Sequence, residues 1–553
     1  MNSIKILKIA ISATLLGLTA CDLLDKEIDT NLSKEDIFSD ERYAAGFLNS
    51  AYREITKGYN RLDNAMMACA CDEAICSFSG SSVHNYNYGA ITPNYNPEEN
   101  IWSEMYKGIR NVNVFLDELN TTIKDFGLID RSEASKANYK RMKGEALFLR
   151  AYYHFELAKR WGNIQLVDAV LTEESYLKVK QSNFTEAIRF IVNDCDSAMN
   201  YLQDPLKESI SDSNKGRATK ASAIALKSRA LLYLASPWNN PENNKELWKE
   251  AADVALEFIN ATGTGSKVGL DPAKLTASMP NLSYISTAYS KEVLFASSYD
   301  LGNDIERYNL PISFSGHGYT NPTQDLIDCF EPLSGKEYDP EHPYMNLDRR
   351  FNLYFYYNGQ QPLSNKKDSV FTYAGGKDGP GRSATATKTG YYMRKFTDFT
   401  LDISKGQQAR RAWIHFRFAE ILLNYCEAMN EYLDTPDKTI YQQLNKLRTR
   451  AGINLYKEGS MNKEEMREAI KKERRVELAF EEHRFWDVRR WLDGGKYFNA
   501  PVHGMEIVKN EDGTYTYNKV EIENRVYSSK MNWYPIPYKE LLKNPNLKQN
   551  PKW

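Results

Sequence analysis

The 553-residue sequence predicts a mainly α-helical scaffold interrupted by one long loop-rich insertion that contains short strands. Three observations carry this. Ala, Leu, Glu and Arg recur at helical spacing in both the first and the last part of the chain. Between about 262 and 408 that period is lost, and Gly, Pro, Ser, Thr and Tyr accumulate. With 42% apolar residues, the chain has enough material for a large core.

In chain order, Lys5 and Lys8 precede an apolar run from Ile9 to Ala20, the layout of a charged leader and a short hydrophobic segment. The run is too short to span a bilayer as a stable helix. It ends in Leu18-Thr19-Ala20-Cys21, which resembles the lipobox at which a bacterial lipoprotein leader is cut before a lipidated cysteine. Residues 1–20 are therefore expected to be a signal peptide, and Cys21 the lipid attachment site that ties the chain to a membrane. Residues 21–40 are charged and weakly patterned, and read as anchor and tether.

Residues 41–261 read as an N-terminal helical scaffold, with periodic stretches near 41–57, 98–119, 136–161, 183–203, 217–235 and 244–260. Asn96-Pro97-Glu98-Glu99 has the form of a helix start and Arg160-Trp161-Gly162-Asn163 that of a stop. Helix starts near 183 and 217 are about 34 residues apart, which points to tetratricopeptide-like stacking of helix pairs, although no repeat consensus recurs. Residues 262–408 are the insertion, where Glu292-Val293-Leu294-Phe295-Ala296 is the best strand. Residues 409–553 return to helix at 409–431, 437–451 and 462–493. Phe418, Leu422, Tyr425 and Met429 fall on one face there, and an extended tail over 500–553 closes the chain.

Composition excludes several functions. A net charge of −2 leaves no basic field for nucleic acid. Cys69, Cys71 and Cys76 lack paired C-x₂-C spacing and have only His84 nearby, so neither a metal nor another cofactor is expected. Cys195 and Cys426 sit in helical patterns as small core residues, and an exported chain permits disulfides among the cysteines beyond Cys21. Aromatic residues make up 12% of the chain, with 36 tyrosines, each offering a flat apolar face and a polar tip.

Several blocks then line up with one family. They are Lys143-Gly144-Glu145-Ala146-Leu147-Phe148-Leu149-Arg150-Ala151-Tyr152-Tyr153-His154-Phe155 with Trp161-Gly162, Phe416 to Ala428, Leu444 to Gly452, Glu473 to Trp491, and Tyr534-Pro535-Ile536-Pro537 with Gln549-Asn550-Pro551. The chain resembles a SusD/RagB-type outer-membrane lipoprotein of Bacteroidetes over essentially its whole mature length. The resemblance implies a surface-exposed, non-catalytic binder of oligosaccharides or polysaccharides. Such a binder sits on a SusC-type TonB-dependent transporter and hands it cargo. The blocks themselves read as scaffold: Glu473, Glu477, Glu481 and Asp487 interleave with Arg474, Arg475, Arg484, Arg489 and Arg490, a salt-bridged helix rather than an acid/base or metal site.

Sugar recognition needs aromatic faces beside hydrogen-bonding groups on a rigid frame. Two loops qualify. The first contains Asp72, Glu73, Phe78, Tyr86 and Tyr88; the second runs from Tyr299 and Asp300 through Phe314 and His317 to Tyr319. In the resembled family, loops in these sections hold the ligand, so the carry-over is regional. Asp72, Glu73, Phe78, Tyr86, Tyr88, Tyr299 and Tyr319 are the candidate ligand-binding residues. Two other readings stay open. One is a RagB-like peptide importer whose groove would bond peptide backbone. The other is a surface glycoside hydrolase with a carboxylate pair drawn from Asp72, Glu73 and Asp300.

Overall fold

The computed structural model describes residues 33–125, 131–211, 214–263, 265–271, 290–297, 300–361, 369–398 and 400–553. Cys21 and Tyr299 lie outside these residues.

The scaffold helices form where the sequence pattern places them, and short polar residues start them. Asn183 with Glu186 closes a capping box on Phe184–Met199, Thr219 with Ser222 does so on Lys220–Ala235, and Asn462 with Glu465 on Lys463–Glu477. Glu133–Trp161 is the central rod, packed between Glu99–Asp125 and Phe184–Met199. Lys220–Ala235 and Lys245–Ala261 continue the stack, and the latter lies against Phe418–Tyr432 from beyond the insertion. One continuous core therefore joins both helical sections and the insertion, from Phe38 to Leu547. No helix among the described residues is long and apolar enough to cross a membrane.

Four local readings are corrected. The tether does not extend to residue 40: Ser33 caps a helix at Lys34–Ser39, and Phe38 packs on Phe47 and Phe115, so these residues belong to the body. Residues 409–417 hold two short strands rather than helix, Ala409–Arg411 and Ile414–Arg417, and the second pairs with Val293–Ala296. The stretch 462–493 is two helices, Lys463–Glu477 and His483–Arg490, separated by a turn in which Phe480 and Glu482 take φ of 65° and 64°. The break seats the Phe480 ring in the core against Phe355. The tail is not simply extended: Val502–Lys509 and Tyr515–Glu523 form an antiparallel hairpin.

The charged block is salt-bridged, but across elements and in the interior rather than along one solvated helix. Glu477 receives Arg350 at 2.8 Å, Arg417 at 2.7 Å and Arg450 at 2.5 Å. Glu292 accepts from Arg417 and Arg450 at 2.9 and 2.6 Å. Removing one member would strand buried charge, so this network pins the insertion to the C-terminal helices.

Candidate functional site

The site begins with a short ladder. Ala74–Cys76 pairs antiparallel with Thr320–Pro322, with Cys76 opposite Thr320 and Ala74 opposite Pro322. The Ser77 N–H continues the pairing by donating to the Tyr319 carbonyl at 3.0 Å. The Ser77 hydroxyl lies within hydrogen-bond distance of the Gly318 carbonyl at 3.0 Å and the Thr385 carbonyl at 2.8 Å, which brings a third segment to the junction. Two loops far apart in sequence are thus fixed side by side by main-chain bonds.

Beyond the ladder, rings align. Phe78 stacks on Tyr319 with centroids 4.9 Å apart and planes 11° apart. Tyr319 lies 5.5 Å from Tyr308 at 26°, and His317 lies 5.4 Å from Tyr319 and 5.8 Å from Tyr308 at 29° and 27°. The backbone enforces this: the His317 N–H donates to the Arg307 carbonyl at 2.7 Å and the Tyr319 N–H to the Tyr308 carbonyl at 2.7 Å. Gly318 between them has φ of +66°, and a Cβ there would fall 2.3 Å from the Tyr392 ring, so only glycine fits. Tyr319 is the covered middle member at 8% exposure, Phe78 and Tyr308 are half-buried, and His317 is exposed. The near-parallel set offers ring faces to solvent at its outer members, the surface chemistry that suits the C–H face of a sugar ring.

The other candidates divide. Tyr88 is 54% exposed and its ring lies 5.9 Å from that of His84 at 11°, close to the platform because His84 Nε2 bonds the Phe78 carbonyl at 3.0 Å. Tyr86 is corrected to core: at 3% exposure it donates its hydroxyl to Asn96 Oδ1 at 2.8 Å and packs on Phe485 and Tyr534. His84–Asn87 is a turn of helix, and it points these two tyrosines in different directions.

Asp72 and Glu73 are likewise corrected; both are buried. Arg484 grips Asp72 through two bonds of 2.8 Å, and Arg475 reaches it at 2.9 Å. Burial alone would raise the Asp72 carboxyl, but these two guanidinium groups hold it well below the usual carboxylate range. Glu73 is pushed up to about 8 by burial and by the charge of Asp72; its Oε2 accepts the Phe480 N–H at 3.4 Å. Asp300 sits apart at the surface, bonded to Lys57. These three carboxyl groups do not line one open cleft, which removes the pair on which the hydrolase reading relied.

Sequence reasoning missed Tyr308, which lies in the short helix Asp304–Asn309 and joins the platform only through tertiary contacts. Phe314 belongs elsewhere, packed on a small core of Leu310, Tyr356, Val370 and Tyr392. Among the described residues no group of three His, Cys, Asp or Glu is placed to hold a metal ion.

Comparison with known proteins gives a consistent picture. A sequence model described as "SusD family" matches residues 285–553, and one described as "Starch-binding associating with outer membrane" matches residues 22–234. SusD-like protein P2 of Formosa agariphila is 24% identical over 574 aligned positions, covering 98% of each chain. A SusD-like protein from Bacteroides fragilis NCTC 9343 superposes with a TM-score of 0.76 at 27% identity, over 94% of this chain and 98% of its own. Surface glycan-binding protein A from Bacteroides fluxus shares the fold at a TM-score of 0.64 and 21% identity, over 93% of this chain and 100% of its own.

Proposed function

The chain belongs to the SusD/RagB family, and from that membership we propose that it is a lipid-anchored outer-membrane protein that captures oligosaccharides or polysaccharides and passes them to a SusC-type TonB-dependent transporter. The observation that carries the glycan reading is the ring platform of Phe78, Tyr308, His317 and Tyr319 at the meeting of two loops. Stacked rings held by backbone bonds lose little freedom on binding, so flat ligand faces are met at low entropic cost. Ser79, next to Phe78 and exposed, supplies a polar group of the kind that hydroxyls need.

The address rests on Leu18-Thr19-Ala20-Cys21 and on the family description that names the outer membrane. Lipidation at Cys21 holds the body at the membrane, and the transporter supplies the route across it. A binding screen of residues 22–553 against plant, host and microbial polysaccharides, with oligopeptides alongside, tests the ligand class. Binding of oligopeptides alone would favour the peptide importer. Membrane fractionation of Cys21→Ala tests the anchor, because normal membrane retention of that variant contradicts it. Gentle detergent extraction and mass spectrometry test the transporter, and repeated recovery of the chain without a β-barrel partner contradicts that step.

A further inference from the structure

A dithiol lies directly behind the platform, and we propose that Cys69 and Cys76 close into a disulfide when the folding chain meets a disulfide oxidant. This goes beyond glycan capture and draws on that reading only for an address outside the cytoplasm.

The geometry selects this pair. Cys69 belongs to the 3₁₀ turn Met67–Ala70, which packs on the strand Ala74–Cys76. Thr320 is their common neighbour: it pairs with Cys76 across the ladder, and its Oγ1 lies 4.0 Å from Cys69 Sγ. Cross-strand partners share one face of a ladder, so the Cys76 and Cys69 side chains both meet Thr320 from the same side, and both thiols are free in this structure. Cys71 is turned away, with its sulfur 3.3 Å from the Ala68 carbonyl and 3.8 Å from Glu73 Oε2. Cys76 and His84 both reach the Phe78 carbonyl, Cys76 Sγ at 3.5 Å and His84 Nε2 at 3.0 Å.

With glutathione disulfide as oxidant, the thiolate of one cysteine attacks one glutathione sulfur, the S–S bond breaks and one glutathione leaves as thiolate. The other cysteine, deprotonated in turn, attacks the protein sulfur of the mixed disulfide and expels the second glutathione. Two electrons pass to the oxidant, and the two thiol protons end on the two released glutathiones. Both cysteines are fully buried in the folded chain, so closure takes place before folding is complete. The closed link would tie the turn to the strand that carries Phe78, and it would remove the Cys76 S–H from the Phe78 carbonyl, leaving that carbonyl to His84.

The test is to unfold the full chain, refold it in a buffer of oxidised and reduced glutathione, quench in acid, alkylate, digest and map the peptides by mass spectrometry. The expected result is a Cys69–Cys76 cross-link with Cys71, Cys195, Cys329 and Cys426 alkylated. Alkylation of both Cys69 and Cys76, or a Cys71–Cys76 link, overturns the proposal. Cys69→Ser and Cys76→Ser, taken through the same treatment, are each expected to lose the cross-linked peptide, and because the wild-type map decides the pairing alone, poor folding of a variant does not shield the proposal. Chain trapped directly from cells separates the two readings: a reduced pair in cells beside a closed pair in the refolded chain contradicts the address outside the cytoplasm, not the dithiol.

Discussion

Tyr308 and Tyr319 are joined twice, through the Tyr319 N–H donating to the Tyr308 carbonyl at 2.7 Å and through rings 5.5 Å apart. The backbone bond fixes the spacing that the rings display, so the platform is held in register before any ligand arrives. Sequence separation does not matter to such a device. What matters is that Phe78 reaches it from another loop through the strand Ala74–Cys76.

If the outer rings are the contact surface, Phe78→Ala, Tyr308→Ala and His317→Ala should each weaken oligosaccharide binding by about 1–3 kcal/mol, roughly five- to two-hundred-fold. His317 is exposed, so its replacement should leave the melting temperature almost unchanged. Tyr319→Ala should lower both affinity and stability, because that ring is the covered member of the set. Calorimetric titration with the best-binding oligosaccharide, beside thermal melts, gives the answer. Unchanged affinity in all three outer-ring variants would place the ligand elsewhere.

Tyr86 should behave in the opposite way. Tyr86→Ala empties a site walled by Phe485 and Tyr534, and a loss of about 3–5 kcal/mol of stability is expected. Tyr86→Phe removes only the bond to Asn96 Oδ1, which still accepts the Glu98 N–H at 3.0 Å, so about 1 kcal/mol is expected. Urea unfolding measures both values, and the folded fraction of either variant should bind ligand normally. A loss of affinity in stably folded Tyr86→Phe would return this residue to the binding surface.

Glu73 makes stability depend on pH, and the sign follows from where its proton sits. Its carboxyl is raised from 4.5 to about 8 by burial and the neighbouring Asp72 charge. Between those values the folded chain keeps a proton that the unfolded chain releases, so the contribution is full below 4.5 and drains away as pH rises to about 8. Asp72, Arg475 and Arg484 hold their charges throughout that window and shift the baseline equally. Glu73→Gln imitates the protonated form, so its melting temperature should fall less than that of the wild type between pH 5 and pH 8.5, values chosen about the ends of this window. Parallel melting curves against pH for the two proteins would contradict the assignment.

The scaffold was legible because helices that bury one face repeat apolar residues at a fixed period, as Phe418, Leu422 and Tyr425 do. Features decided by tertiary contact were not. Nothing local marks the break at Phe480, a residue with positive φ and no glycine or proline beside it; its place is set by Phe355 and by the buried arginines around Glu477. The hairpin carried a turn signal in Asp512-Gly513, but much of it is exposed and its apolar alternation is weak. In the candidate site, Tyr86 and Tyr88 look alike in sequence because tyrosine suits a core edge and a wet surface equally, and only the turn of helix at His84–Asn87 separates them.

Gly162 offers the sharpest test of the scaffold, because the quoted blocks converge on it. It ends the central helix with φ of +69°, and a Cβ there would fall 2.3 Å from the Trp533 ring. The same corner is closed by the Trp161 indole N–H donating to the Pro535 carbonyl at 3.1 Å and by the Asn550 side-chain amide donating to the carbonyls of Trp161 and Tyr534 at 2.8 and 2.7 Å. Gly162→Ala meets two penalties: about 1–3 kcal/mol for an L-residue held at φ +69° and ψ −91°, outside the left-handed helical well, and the overlap with Trp533. If the overlap dominates, Trp533→Ala in the same chain should recover part of the loss, since it empties the space that the new methyl group needs. The double variant is expected to be less stable than the wild type but more stable than the sum of the two single losses predicts. Strict additivity in this double-mutant cycle, measured by chemical unfolding, would show that backbone conformation alone demands the glycine and that the tail does not press on the helix end.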